Sequence, residues 1–591
     1  MAAITFFILQ ASVLILILGG GGLLPETVCA VAALSCATAG IGFMIRSRTC
    51  AATPGGVASF PWLEVVFSAI LLFVLFTTLP LPSCLEPLTG ALRQSQNHLV
   101  EVGLRRASNF GMFTPDTHGF SLSRNRAGTL RMVLLLAASF GTLMLAASLP
   151  TRFKIAFLRF IVLAGAVVAA GGYVSQWHIP QGDTLWWTLP VERSLPGPVG
   201  CFMNRNHFGG FLAMLAPVAL VLTVQAVRDR KWGGGLLFLV ATGILIYALI
   251  MSLSRGALIA FAVGCLTLSA WLAFRKYLLA SIGSLVGVGL LAVLIYNASP
   301  LVRDRLETLR DPLNAPSVQN RLMEWRESLR VWPHYPMIGA GANALRMVYP
   351  QVRQTSRNRW LVFSENEYIQ LVAEGGLIGL VLAGLFCAAF LHRLQRPNPD
   401  PVPDYIRLSI AGAVIVTATH CLFDFPLHLP LYAVVLASLV GLSLPAPVET
   451  APRRRALCLA PLVVGLAGCA LIGIISPAAL RQIDSYHYIR KSDTEQLRRA
   501  LVWAPTSWHA WYHLGRAAYT EGVARHRVAL CFFGEDLMTE ATRLDPQNYR
   551  LWYSVGETRL ALRDFDRAEA AFARAQQLRP WLSPPPIRRN R

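Results

Sequence analysis

The sequence is poor in charged residues and has few polar stretches long enough to form a soluble domain. Only 14% of its 591 residues are Asp, Glu, Lys or Arg, whereas a soluble domain carries about 25%, and 54% of the residues are hydrophobic. The deficit is concentrated in long apolar runs. Short segments of alternating polarity, the mark of a membrane barrel, are absent. The composition therefore predicts an all-α, polytopic membrane protein.

Several motifs are also missing. The 11 cysteines form no CxxC pair and lie mostly in apolar runs, so neither a disulfide framework nor a zinc site is expected. There is no GxxxxGK[ST] or HExxH motif, and GAGAN at 339–343 follows no predicted strand. The first apolar run, 4–24, lacks a basic flank and a clean cleavage site, which favours a retained span over a signal peptide. We expect no metal and no cofactor.

About thirteen transmembrane helices are predicted when each span is given roughly 20 apolar residues. They lie near 4–24, 28–45, 60–81, 130–149, 155–174, 208–227, 236–252, 256–274, 278–297, 369–391, 407–423, 429–444 and 456–475.

The basic residues in short loops give the orientation. Six positive clusters fall on one side of the predicted membrane, and the positive-inside rule makes that side cytoplasmic. The loops at 82–129, 175–207 and 298–368 then face the periplasm, as does the C-terminal region, while the N-terminus is cytoplasmic. The net charge of +21 is explained by these clusters and by anionic lipid, without a nucleic-acid partner. Five arginines in the first outer loop do not follow the positive-inside rule. They indicate either a contact with anionic lipid or an error in the span count, and they are Arg105, Arg106, Arg124, Arg126 and Arg131.

The C-terminal region differs in kind from the rest of the chain. From about Ser485 it is charged, with aromatic residues and alanine at helical spacing. Pro546 and Pro580 are 34 residues apart, which is the tetratricopeptide period. Two such units are too few for a free-standing solenoid, so we expect them to dock on the membrane domain.

Four polar stretches interrupt the apolar pattern, and all four are predicted on the outer side. They are CFMNRNHFGGFLAM at 201–214, SLSRGALIA at 252–260, the loop from 300 to 367, and HCLFDFPLHLP at 420–430. Ionisable groups at membrane depth are costly and tend to line functional cavities. Arg255 and Asp424 are hard to explain as surface residues, whereas His207 and His420 taken singly are more often structural.

Together these stretches resemble the O-antigen ligase and O-antigen polymerase superfamily over about residues 195–445. The NRNHFGG, SLSRGA, RxxxW and DFPLH segments occur in the family's order, and fusion to tetratricopeptide-like repeats occurs in one branch. The resemblance implies a GT-C-like fold in the bacterial inner membrane. It also implies a metal-independent, inverting transfer of an undecaprenyl-diphosphate-linked glycan to a hydroxyl acceptor.

The predicted organisation follows from the spans, the repeats and this resemblance. Residues 1–200 form N-terminal membrane helices with the first outer loops. Residues 201–445 form the catalytic core, which includes the outer loop 298–368. Residues 446–484 hold the last span and a linker, and residues 485–591 form the tetratricopeptide-like periplasmic domain.

Carried over by motif, Arg255 and Arg321 would grip the diphosphate. Two guanidinium groups can bind phosphate oxygens in a forked geometry and stabilise the leaving group. The resemblance places further substrate-binding residues on the same face: Arg205, His207, Asn366, Tyr368, His420 and Asp424.

Glu365 departs from the family pattern. The family usually reads HNxYLQLLAEGG where this sequence reads ENEYIQLVAEGG, so Glu365 stands where a histidine is thought to activate the acceptor. Three explanations stay open: Glu365 is the general base, His207 or His420 has taken over, or the protein binds glycan without catalysis. Glu367 is expected to supply loop polarity, and Glu374 to pair with a nearby cation.

The acceptor separates the possible functions. A polymerase is slightly preferred because the repeats indicate a glycan or protein partner beside the site, and a lipid A-core ligase or a protein glycan transferase comes next. A transporter or scaffold for polysaccharide or lipid is the alternative without catalysis. A transporter would be expected to show repeated spans with ionisable groups near the midplane, which the sequence lacks.

Overall fold

The computed structural model describes most of the chain. The regular structure of the described residues is helical, apart from one short antiparallel strand pair, Thr184–Leu185 with Leu189–Pro190. The described residues are 2–18, 62–79, 91–110, 121–178, 199–202, 204–274, 278–300, 316–355, 361–394, 402–444 and 504–587, with shorter pieces between them. The predicted span at 456–475, most of that at 28–45 and the linker before residue 497 lie outside the described residues.

The apolar runs form helices of the membrane domain. These are α1 (Ala2–Leu18), α2 (Trp62–Phe76), α4 (Arg126–Ala147), α5 (Thr151–His178), α6 (Arg205–Arg228), α7 (Trp232–Met251), α8 (Arg255–Phe274), α9 (Leu278–Ala298), α12 (Glu367–Leu394), α13 (Asp404–His420) and α14 (Pro430–Ser443). Five helices of the described residues are long and apolar enough to cross a membrane: α4, α5, α6, α7 and α12. The helical membrane-protein class is thus supported, whereas the count of thirteen stays a prediction.

One apolar core holds the membrane helices together. It is formed by side chains from α1, α4, α5, α6, α7, α8, α13 and α14, with Phe157, Phe211 and Leu245 near its centre. Glycines let three of these helices approach closely. A Cβ on Gly210 of α6 would lie 2.2 Å from the His420 ring of α13, and one on Gly256 of α8 would lie 2.9 Å from Phe423. The tight packing fixes the ends of α6, α8 and α13 beside one another.

Three polar helices lie outside this core, and two of them contact the C-terminal helices. The polar helices are α3 (Ala91–Asn109), α10 (Pro316–Leu329) and α11 (Leu345–Val352), and the C-terminal helices are α15 (Trp508–Ala524), α16 (Val528–Leu544), α17 (Tyr549–Ala561) and α18 (Phe565–Leu578). Val100 and Ala107 of α3 share a core with Trp511 and Phe533, and α11 contacts α16. The C-terminal helices therefore dock on α3 and α11.

A buried ion pair makes a second link to the C-terminal helices. Arg353, after α11, donates two hydrogen bonds to Asp545 Oδ1 at 2.6 and 2.9 Å, with both side chains less than 10% exposed. This docking agrees with the expectation of a docked C-terminal unit, and the contacts run to the outer-loop segments. The tetratricopeptide assignment itself stays a prediction.

The first-loop arginines serve different purposes. Arg124 is fully buried and donates to Asn97 Oδ1 at 3.0 Å and to the Ser121 carbonyl at 2.9 Å. Arg106 pairs with Asp536 at 3.2 Å and stacks over Phe533. At Arg124 the lipid contact considered from the sequence is wrong, because the side chain is fully buried. At Arg106, whose side chain is half exposed, it stays a prediction.

Candidate functional site

Two arginines stand at the first positions of neighbouring membrane helices. Asn204 caps α6, because its side chain accepts from the Asn206 backbone N–H at 2.8 Å, and Arg205 follows it. At the start of α8 the chain turns through Leu253 in the left-handed region (φ 55°), and Ser254 accepts from the Ala257 N–H. Each cap thus fixes an arginine at the end of its helix. The charged side chain does not have to be fully buried there.

These two arginines meet a third on α10. Arg255 Nη2 donates to Ser317 Oγ at 2.5 Å. Ser317 and Arg321 are four residues apart on α10, and side chains at that spacing share a helix face. Arg205 is close enough to Arg255 for their charges to act on each other. Arg205 and Arg255 are therefore neighbours, and Arg321 stands one helical turn from the residue that Arg255 contacts.

Glu365 provides the counter-charge to this cluster. Its Oε2 accepts from Arg321 Nε at 2.9 Å and from Arg321 Nη2 at 2.7 Å. The side chains are 24% and 22% exposed, so solvent and a ligand can reach the pair. Glu365 has a φ of 51°, a left-handed backbone that non-glycine residues rarely adopt and that is typical of functional positions. The backbone turn thus directs this carboxylate onto Arg321.

The residues after Glu365 build the start of α12. Asn366 accepts from the backbone N–H groups of Tyr368 and Ile369 at 3.0 and 3.1 Å, as a helix cap does. Its amide donates to the Leu422 carbonyl, and the exposed Tyr368 hydroxyl donates to the Ala418 carbonyl at 2.9 Å. Asn366 and Tyr368 therefore join α12 to the end of α13. Because the side-chain oxygen and amide of Asn366 both have partners within the protein, little hydrogen-bonding capacity remains for a ligand.

Glu367 is buried and holds a histidine that sequence reasoning did not select. His428 Nδ1 lies 3.1 and 3.2 Å from the two oxygens of Glu367, which also accepts from the Leu427 N–H at 2.7 Å. Burial lowers the pKa of His428, but Glu367 and then Glu374 outweigh burial and raise it to about 10. The expectation that Glu367 is loop polarity is wrong, because its charge is compensated by a buried imidazolium.

Glu374 joins α12 to the outer loop. Its oxygens accept from the backbone N–H groups of Asn343 at 2.7 Å and Leu345 at 2.9 Å, at the start of α11. It lies 3.9 Å from His428 Nε2, so the expected cation partner is a histidine at the edge of pairing distance. Two carboxylate hydrogen bonds to backbone donors explain its position better than a cation partner does.

The glycines after Glu374 make room for that loop. Gly376 interrupts the helical geometry of α12 with a φ of 59°, and a Cβ there would lie 2.5 Å from the Gly339 nitrogen. The backbone N–H groups of Leu377 and Ile378 then donate to the carbonyls of Pro336 and Met337. GAGAN at 339–343 is therefore a docking loop for the kinked helix, a role that the sequence did not predict.

A second buried cluster lies between α6 and α13. Asp424 Oδ1 is 3.3 Å from His207 Nε2 and its Oδ2 is 3.2 Å from His420 Nε2. Burial raises the pKa of Asp424, but His207 and His420 outweigh burial and hold it well below its usual range. The His420 side chain is 1% exposed and the His207 side chain 9%. Asp424 therefore holds two histidines, and the cluster is enclosed.

The predicted site residues thus separate into three groups. Arg205, Arg255, Arg321 and Glu365 converge on one accessible surface, which we call the arginine cluster. His207, His420 and Asp424 form an enclosed cluster, and Asn366 and Tyr368 hold helices together. Sequence reasoning missed Ser317, which its spacing of four from Arg321 could have revealed. His428 was not selected as a site residue, although it ends the DFPLH segment at 424–428. Among the described residues no group of three His, Cys, Asp or Glu side chains is placed to hold a metal ion.

One protein family matches part of the chain, whereas no curated protein matches it. The family described as O-antigen ligase matches residues 240–384, about a quarter of the chain. The matched segment contains Arg255, Arg321 and Glu365, whereas Arg205 and the enclosed histidine cluster lie outside it. The match supports a relation of this segment to the O-antigen ligase superfamily.

Proposed function

We propose that the protein is a membrane glycosyltransferase that moves an undecaprenyl-diphosphate-linked glycan onto an acceptor hydroxyl at the periplasmic face of the bacterial inner membrane. The observation that carries the proposal is the convergence of Arg205, Arg255 and Arg321 at the ends of apolar helices, with Glu365 beside them. A lipid diphosphate carries its negative charge at the level of these helix ends. The three guanidinium groups can bind it there.

The arginines would bind the donor and stabilise its departure. Guanidinium groups form forked hydrogen bonds to phosphate oxygens, and these bonds strengthen as negative charge develops on the leaving diphosphate. Ser317 holds the Arg255 side chain towards α10, so Arg255 and Arg321 approach a ligand from the same helix face. We assign Arg205 to the same diphosphate because its charge acts on Arg255.

Glu365 is the strongest candidate for the general base among the residues named from the sequence. His420 is almost fully enclosed and both histidines face Asp424, whereas the Glu365 carboxylate is accessible. In the reaction the acceptor oxygen forms a bond to the anomeric carbon while the bond to the diphosphate breaks. The hydroxyl proton passes to Glu365, and the diphosphate leaves with the bonding electrons.

The pairing of Glu365 with Arg321 gives this step an order. Before the donor binds, the Glu365 carboxylate is held by two contacts from Arg321. When the donor's diphosphate takes over Arg321, the carboxylate is released and can accept a hydrogen bond from the acceptor hydroxyl. Activation of the acceptor then follows donor binding, which limits unproductive deprotonation in the empty site.

The acceptor is proposed to be another lipid-linked glycan, which makes the protein a polymerase. The docked C-terminal helices place a second surface next to the site, as a growing chain would require. A ligase or protein glycan transferase would use the same donor chemistry with a different acceptor.

The test is a gene deletion complemented with wild type, Glu365→Gln or Glu101→Gln. Glu101 is an exposed residue of α3 whose partner Arg105 is also exposed, so it is a matched control. We expect wild type and Glu101→Gln to restore long-chain surface or secreted glycan, and Glu365→Gln to fail at equal membrane levels. Restoration by Glu365→Gln would remove Glu365 as the base, and unchanged glycan in the deletion itself would remove the proposed function.

The orientation needs its own test. Reporter fusions after Arg396 and after Arg591 should report the cytoplasm and the periplasm, respectively. A cytoplasmic signal from the second fusion would place the arginine cluster on the wrong face for a donor already carried across the membrane, because the C-terminal helices contact the same loops.

A further inference from the structure

A cavity of about 340 Å³ lies between the outer loop and the C-terminal helices. Its size is at the lower end of the about 300–1,000 Å³ typical of small-molecule sites. Its walls come from α11 and the segment after it, from the start of α15, and from the turn between α16 and α17. The arginine cluster does not contribute to it.

The walls combine flat rings with cationic groups. Trp508, His509, Tyr512 and Tyr349 present aromatic rings, and the Trp508 and His509 rings stack with centroids 3.5 Å apart. Such side chains offer an apolar face together with a polar edge, which suits a ligand with both characters. The lining is therefore suited to a ring-shaped ligand that carries hydroxyl groups.

The charge of the lining is positive. Arg346, Arg353 and Arg550 line the cavity, and the single carboxylate among the lining residues, Asp545, is already paired with Arg353 at 2.6 Å. Arg550 stands exposed at the rim. His513 also lines the cavity, and burial followed by Arg516 lowers its pKa, so it is neutral at pH 7 and can both donate and accept. An anionic group on the ligand would meet the exposed guanidinium of Arg550 at the rim.

The cavity is connected to the proposed active site through two short segments. Leu361 lines the cavity and precedes Glu365 by four residues, which limits the separation of their Cα atoms to about 14 Å. Leu345, held by Glu374, precedes the lining residue Arg346. The cavity wall therefore begins within about 14 Å of Glu365, a distance that a glycan of a few sugar units covers.

We infer that this cavity is a subsite for a segment of glycan that carries an acidic group, such as a uronic acid. The rings pack on the sugar faces, and the guanidinium groups of Arg346 and Arg550 bind the carboxylate. The inference rests on the proposed function, because the glycan reaches the cavity from the transfer site. It adds a substrate class that the family match does not specify.

The test measures binding of defined saccharides to the full-length chain in nanodiscs. The probes are a hexasaccharide of galacturonic acid, the same hexasaccharide with its carboxyl groups reduced to alcohols, and hexaglutamate as an acidic peptide. The variants are Arg550→Ala at the exposed rim and Trp508→Ala. The control is Trp581→Ala, an exposed tryptophan that does not line the cavity.

We expect saturable binding of the acidic hexasaccharide, weakened at least about tenfold by Arg550→Ala, since one charge-assisted hydrogen bond is lost. Trp508→Ala should weaken it similarly, and Trp581→Ala should leave it unchanged. Equal binding of the reduced hexasaccharide, stronger binding of hexaglutamate, or no saturable binding would overturn the inference. Failure of the proposed function is seen separately, as unchanged glycan in the deletion strain, so the two failures are distinguishable.

Discussion

Because Glu365 pairs with Arg321, substitution of Glu365 is expected to lower the rate of glycan transfer and to strengthen donor binding. Glu365→Gln keeps the size of the side chain and removes its charge. If Glu365 accepts the hydroxyl proton, the rate of transfer should fall by about 10²- to 10⁴-fold, the usual contribution of a general base. Arg321 at the same time loses an internal competitor for the donor's phosphates, so donor binding should tighten.

The expected gain in donor affinity follows from the exposure of the pair. Both side chains are about one quarter exposed, so the ion pair resembles a surface pair that contributes roughly 0–1 kcal/mol. Release of Arg321 from that pair strengthens donor binding by at most about fivefold, since 1.4 kcal/mol corresponds to tenfold. A large loss in rate combined with a small gain in affinity is the signature of this arrangement.

The assay uses purified protein in nanodiscs and lipid-linked donor extracted from cells that lack the gene. Single-turnover transfer gives the rate, and titration with donor gives its dissociation constant. Glu101→Gln is again the control, because its ion pair is exposed and lies on α3. Weaker donor binding in Glu365→Gln would mean that Glu365 positions Arg321 for the phosphate, and an unchanged rate would refute its role as base.

Three further substitutions test the support of the site. Gly376→Ala should reduce the amount of folded protein, because a Cβ would meet Gly339 in a left-handed backbone; Gly384→Ala, with open space around it, should be neutral by thermal melting. Arg353→Met leaves Asp545 buried without its cation, at a cost of about 3–5 kcal/mol, and should speed amide exchange in α15 to α17. His428 has a raised pKa, so its stabilisation is complete below pH 6.5 and is lost as pH rises towards about 10. Melting curves of wild type should show that loss, and those of His428→Gln should not.

Much of the fold was readable from hydropathy because a membrane span is a long, local signal. Predicted spans such as 208–227 and 236–252 coincide with α6 and α7 to within a few residues. The sequence predicted that the four polar stretches lie on one side of the membrane, and the structure adds contacts between them. Arg255 contacts Ser317, His207 contacts Asp424, and Glu367 contacts Cys421.

The roles of individual carboxylates were not readable, because they depend on partners distant in the sequence. Glu365, Glu367 and Glu374 lie within ten residues, yet one faces Arg321, one faces His428 and one accepts from the backbone of α11. Likewise, the burial of Arg124 depends on Asn97 in another helix. Sequence spacing fixes a residue's place on its own helix but leaves the neighbouring surface undetermined.

The left-handed backbone at Glu365 has a consequence for how the family exchanges residues at this position. Histidine, asparagine and aspartate adopt that conformation more readily than most side chains, and glutamate has no such preference. Glutamate adopts the left-handed backbone here without the preference that histidine has for it, and it brings a charge that pairs with Arg321. A neutral histidine at this position would form no such ion pair and would leave the guanidinium open to phosphate at rest, whereas Glu365 keeps it occupied until the donor arrives. One residue could thus change the resting state of the site without rebuilding its scaffold.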